Sequence, residues 1–172
     1  LVRHGKRVGQ SLMLKLKRFT NKDDQAWADW PALRRAIEEA AVQFGQKSIA
    51  TVLDRILASF AIEGHASIPA EQQGTTAVWY VVDETGVIRA HLVAVEDAWD
   101  GGRCVYVNQL WAPHMPQAMI ETALEELDHY TRSRGASQVF MYTRRDCERA
   151  RRLWHKKFGF LRYRGLYRRE IR

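Results

Sequence analysis

The chain has 172 residues, 46% hydrophobic and 27% charged, which suits one domain with its own core and sets it apart from the disordered and membrane-spanning classes. No apolar run approaches the roughly 18 residues that cross a bilayer, and the first residues, LVRHGKRVGQ, lack the apolar centre of a signal peptide. The formal charge of +7 is unevenly placed: residues 1–22 carry seven Lys/Arg and no acid, residues 144–172 carry twelve against three acids, and eight basic and seventeen acidic residues stand between.

Residues 1–11 read as a basic extension and residues 12–172 as a single domain. Leu12 to Phe19 alternates Leu12, Leu14 and Leu16 with Met13, Lys15 and Lys17, the period of a half-exposed strand. From Trp30 the spacing becomes helical: Pro31 suits a first turn, Leu33, Ile37, Ala40 or Ala41 and Phe44 share a face, and Gly45 is placed to end the helix. Ser48 can cap a second helix, Ile49 to Ala61, and Gly64 to Gly74 reads as a loop. The period then returns to two. Thr76 to Val82 and Val87 to Val95 make a hairpin about the Asp83-Glu84-Thr85-Gly86 turn, and Asp100-Gly101-Gly102 leads into a third antiparallel strand, Arg103 to Trp111.

Pro113 and Pro116 break that pattern. Gln117 to Arg134 has Ile120, Leu124, Leu127 and Thr131 on one face and Gly135 at its end, so it is predicted as a helix. Val139 to Thr143 follows as a buried strand, and a strand, helix and strand joined this tightly form a right-handed parallel crossover. Asp146 to Lys157 is a short basic helix stopped by Gly159, and Phe160 to Ile171 is a last strand or hairpin bending at Gly165.

This order of elements, with the tail Ala150-Arg-Arg-Leu-Trp-His-Lys-Lys-Phe-Gly-Phe, resembles the GNAT acetyltransferases. The resemblance implies an α/β (α+β) fold, a mixed and mostly antiparallel sheet flanked by helices. It also implies acetyl-CoA as cofactor, lying where the fourth and fifth strands part. The pantetheine arm would run along the strand ending at Leu110 and Ala112, and the pyrophosphate would sit on backbone N–H groups at the next helix start. His114, Gln117, Ala118, Arg144 and Arg145 are the residues placed to hold it.

The sequence departs from the family pattern at two devices. The segment Ala112-Pro-His-Met-Pro-Gln-Ala118 has no glycine to let the backbone approach a phosphate, only Ala118 fits the final small position, and Pro116 removes an N–H. Trp154 stands where the family has a tyrosine that protonates the departing thiolate, and Cys147 where an asparagine is usual. Glu96, Tyr106 and Asn108 remain as residues able to hold a water that deprotonates an amine; polar residues on an open sheet face are equally expected there.

The two cysteines, Cys104 and Cys147, have no metal-ligand or disulfide spacing and read as reduced thiols in a cytosolic setting. Arg144, Arg145 and Arg149 would favour a Cys147 thiolate, and a partly buried structural thiol is the plainer reading. The six histidines show no metal-binding pair, so no metal site is expected.

Three functions fit these features. One is an acetyl-CoA-dependent N-acyltransferase acting on an amine. A second is an inactive GNAT-fold scaffold docking an acidic protein partner in a larger assembly such as a bacteriophage particle made in the cytoplasm. The third is nucleic-acid binding through the basic, aromatic tail around Arg164, Arg168 and Arg169. The same charges also suit a protected sheet edge, or basic ends packed on an acidic centre.

Overall fold

In the computed structural model, which describes residues 13–19, 24–45, 53, 75–99, 102–141, 152–163 and 166–171, the chain forms β1 (Leu14–Arg18), α1 (Asp24–Phe44), β2 (Thr76–Asp83), β3 (Ile88–Trp99), β4 (Gly102–Trp111), α2 (Gln117–Ser133) and β5 (Gln138–Met141). A single π-helical turn (Leu153–Lys157), β6 (Leu161–Tyr163) and β7 (Leu166–Glu170) complete it. The strands make one seven-stranded sheet in the order β1-β2-β3-β4-β5-β7-β6. Every pair is antiparallel except β4 with β5, which the crossover through α2 makes parallel.

The burial of β2 shows how the layers are built. All eight of its residues are buried without alternation, because helices cover both faces of the sheet there. Ala77 and Trp79 pack with Leu92, Ala94, Val105 and Val107 against Leu124, Leu127 and Tyr130 of α2. Val78, Tyr80 and Val82 point the other way, against Leu33 and Ile37 of α1 and against Phe19. α2 ends at Gly135, whose φ of 67° is the left-handed conformation that glycine adopts without a Cβ penalty. Its N–H then reaches back to the Arg132 carbonyl and that of Ala136 to Thr131, closing the helix.

A register shift in β4 turns the end of that strand. Val93 pairs with Gln109 and Ala94 with Val107, so Asn108 is an extra residue, a β-bulge. Val107 consequently faces the α2 core, while Gln109, two residues on, turns to the opposite face and bonds α1.

Some elements differ from the sequence expectation. The first strand is shorter, Leu14–Arg18, and α1 starts at Asp24, about two turns before Pro31, which lies inside the helix on its exposed side. Tertiary contacts explain the early start: Ala26 is buried, and the Trp27 and Trp30 rings lie 5.3 and 5.2 Å from the Phe19 ring. The basic helix expected over Asp146 to Lys157 is described only at its end, where the wider π turn replaces it. The closing segment is a hairpin, β6 with β7. The helix expected over Ile49 to Ala61 and the loop before β2 lie outside the described residues, except that Leu53 is buried in the α1-side core.

Candidate functional site

Among the described residues β4 and β5 pair from Val105 to Val107 opposite Val139 to Met141. Beyond Val107, β4 runs on to Trp111 bonded among the described residues to β3 alone. Beside this end, under the first half of α2, lies an apolar pocket of about 390 Å3 including its open mouth. Leu110, Ala112 and Met115 stand at the β4 end, Trp79 and Leu92 form the floor, and Met119, Ile120 and Ala123 form the roof.

The turn from β4 into α2 sets the start of the helix. His114 adopts a left-handed φ of 58°, the conformation usually left to glycine. The Pro116 carbonyl accepts from the Met119 and Ile120 amides at 3.0 and 3.3 Å. The Gln117 and Ala118 amides have no carbonyl to bond within the helix. Among the described residues no side chain caps this end and its first turn holds no acid to offset the positive end of the helix dipole. The π turn brings a cation to the same place: Lys157 Nζ bonds Gln117 Oε1, and Gln117 Nε2 in turn bonds Glu121 Oε1. The sequence reading missed Lys157, which in the linear chain is one of a run of basic residues.

On the α1 side of the same strand end lies a buried polar chain. Gln109 Nε2 donates to the Ile37 carbonyl at 3.2 Å, so its Oε1 is the acceptor facing His91 Nε2 at 2.5 Å, and His91 carries its proton on Nε2. His91 Nδ1 is therefore a bare acceptor, buried without a hydrogen-bond partner among the described residues. Burial pushes this imidazole down from 6.5 to about 4, against the Gln109 bond that pulls it up, and so it is neutral at ordinary pH. The Trp111 ring stacks on it at 5.7 Å. A histidine within the apolar run of β3 was the available sign of this chain.

Comparison with solved structures shows which fold this architecture has. A predicted acetyltransferase with acetyl-CoA from Clostridium acetobutylicum aligns over 88% of this chain and 92% of its own, with a TM-score of 0.60 and 15% identity. An acetyltransferase of the GNAT family from Staphylococcus aureus aligns over 93% and 100%, with a TM-score of 0.60 and 11% identity. The chain has the GNAT fold. The PaiA N-acetyltransferase from Thermoplasma acidophilum in complex with coenzyme A aligns over 92% of this chain and 99% of its own, with a TM-score of 0.59 and 10% identity. No protein-family model matches the sequence, and no curated protein matches it.

Within that fold the expected site residues divide into two groups. Leu110 and Ala112 line the pocket mouth, and His114, Gln117 and Ala118 are exposed at the start of α2, so these five converge on one end of β4. Tyr106 and Asn108 are half-buried farther back on the strand, Asn108 at the bulge. Glu96 lies one pair beyond Tyr106, away from the pocket end of the strand. It pairs in register with Val105, five residues and about 16 Å along β4 from Leu110. There its carboxylate bonds Arg134 at 2.7 Å and faces Arg103 at 3.7 Å, an anchor for the end of α2. Arg144, Arg145 and Cys147 lie outside the described residues.

Met115 lines the pocket, Trp111 lies on His91, and Trp154 packs 5.4 Å from the Phe158 ring and 5.8 Å from that of Phe160. Cys104 is buried, its Sγ–H directed at the Asp97 carbonyl, and burial with the nearby Asp97 and Glu96 charges raises the thiol to about 11.

Several of the basic end residues are engaged internally. Lys17 pairs with Asp29 at 2.7 Å, and the Arg18 guanidinium lies over the Trp79 and Tyr130 rings at 5.5 and 5.3 Å. Arg169 pairs with Asp128 at 2.7 Å and Arg168 with Glu170 at 3.3 Å. Among the described residues no group of His, Cys, Asp and Glu is arranged to hold a metal, and no helix is long and apolar enough to cross a membrane.

Proposed function

We propose that this protein binds an acyl-coenzyme A at the end of β4 and transfers its acyl group to an amine. The observation that carries the reading is the junction itself. β4 continues past its pairing with β5 directly into an uncapped helix start, with Lys157 beside it. The exposed Gln117 and Ala118 amides suit a diphosphate, and Lys157 and His114 stand where its charge would be met. The residues present fit such a group despite the missing glycines. His114 takes the left-handed turn a glycine would have made, and Lys157 offsets the N–H that Pro116 removes.

The bound thioester would supply an activated acyl group. Transfer forms a bond from the amine nitrogen to the acyl carbon, breaks the carbon–sulfur bond, and moves one proton from nitrogen to the departing thiolate. In this reading Tyr106 and Asn108 would hold the water that carries that proton away. Trp154, an N–H donor without acidity, leaves the thiolate to be protonated by solvent.

A second reading, a GNAT-fold module that docks a partner without catalysis, is favoured by one observation. The aromatic in place of the family's acid is built into a cluster with Phe158 and Phe160. The engaged Arg168 and Arg169 count against a nucleic-acid surface there. Release of free CoA thiol from acetyl-CoA over a panel of primary amines separates the two readings. Amine-dependent release supports the transferase, and CoA binding without any release supports the docking module.

A further inference from the structure

We infer that the pocket beneath α2 takes the hydrocarbon tail of a medium-chain acyl group, so that the preferred donor is an acyl-CoA longer than acetyl. The inference rests on the transferase reading for the placement of the thioester end, and on the pocket alone for the chain.

The pocket runs across the strands. Leu110 pairs with Leu92, Leu92 with Trp79 and Trp79 with Arg18, so its floor spans three strand spacings from β4 to β1, about 14 Å. The mouth at Leu110 and Ala112 adjoins the β4 edge assigned to the pantetheine arm. Leu16 of β1 lines the far end, and beside it the Arg18 guanidinium lies over the Trp79 and Tyr130 rings.

Its chemistry selects the occupant. Apart from Trp79, Tyr80 and His91, the lining side chains are aliphatic or thioether, and the Tyr80 hydroxyl and His91 Nε2 are bonded to Asp29 and Gln109, so an amine, sugar or peptide would leave most of its own donors unpaired there. A saturated chain has none to lose. Met115 and Met119, at the mouth and in the roof, are flexible enough to part around a chain.

The test is competition binding of CoA, acetyl-CoA, butyryl-CoA, octanoyl-CoA and palmitoyl-CoA to the full chain. Each buried methylene can tighten binding by up to about fourfold. Octanoyl-CoA is expected to bind at least about tenfold more tightly than acetyl-CoA, with no further gain for palmitoyl-CoA, whose tail outruns the floor. Ala123→Phe, which fills the roof, is expected to collapse the octanoyl-to-acetyl ratio towards one. Met119→Phe is the second variant should the first fail to fold. Acetyl-CoA binding as tightly as octanoyl-CoA, or a ratio unchanged in the folded variant, overturns the inference and leaves the transferase reading standing. No binding by any CoA ester overturns both.

Discussion

His91 and Gln109 meet at 2.5 Å across β3 and β4, and the amide's bond to the Ile37 carbonyl fixes which imidazole nitrogen holds the proton. Because burial lowers this histidine from 6.5 to about 4, the unfolded chain binds more protons than the folded one between those values. Stability from this group is therefore full above 6.5 and lost as the pH falls towards 4, by about 3 kcal/mol in all. Urea unfolding at a series of pH values should show that loss, and His91→Phe should flatten the curve over this interval.

Asp83 works in a more acidic range. Its Oδ1 accepts from the Thr85 N–H, the Thr85 hydroxyl and the Val87 N–H, and its Oδ2 from Arg89, which together build the β2–β3 turn. These bonds, the Thr85 hydroxyl foremost, hold the carboxyl well below its ordinary 3.8. Their contribution is complete above 3.8 and disappears as the pH falls below it. Asp83→Ala should lower the urea midpoint at neutral pH and remove part of the acid-induced loss that the parent protein shows.

Glu96 has its ion pair with Arg134 at the far end of the strand, so Glu96→Gln is expected to cost about 1 kcal/mol of stability while acyl transfer persists. Loss of transfer with unchanged stability would return Glu96 to the role of base.

Cys104, raised to about 11, is protonated and buried at pH 8. Its alkylation by iodoacetamide, followed peptide by peptide, should be negligible in the native protein and become rapid in denaturant.

Lys157 beside Gln117 is the cation of the proposed diphosphate site. Lys157→Ala should weaken CoA binding by about three- to tenfold, with a shallower salt dependence than the parent. An affinity unchanged at low salt would remove Lys157 from the site.

Much of the fold was legible because its signals are local. The period-two runs of β2 to β4, the four- and three-residue spacing of Ile120, Leu124 and Leu127, and Gly135 after α2 each reflect backbone geometry within a few residues. What stayed hidden depends on contacts distant in sequence. Pro31 suggested a helix start because nothing nearby shows that Phe19 holds the preceding turn. The bulge at Asn108, which separates Val107 and Gln109 onto opposite faces, leaves no trace in an apolar pattern. At the site, Leu110, Ala112, His114, Gln117 and Ala118 were found through the resemblance, and the structure gathers them. Lys157, forty positions from Gln117, was reachable only through the fold. Glu96 looked available in sequence because its partner Arg134 lies across a helix from it.

Whether the end of β4 and the start of α2 receive an acyl-CoA is decided by titrating the protein with CoA while following heat of binding and thermal unfolding together. Saturable one-to-one binding is expected, with a melting temperature that climbs with CoA concentration, by roughly 5–10 °C at a hundredfold excess over Kd. No heat and no shift at millimolar CoA would refute binding at this junction.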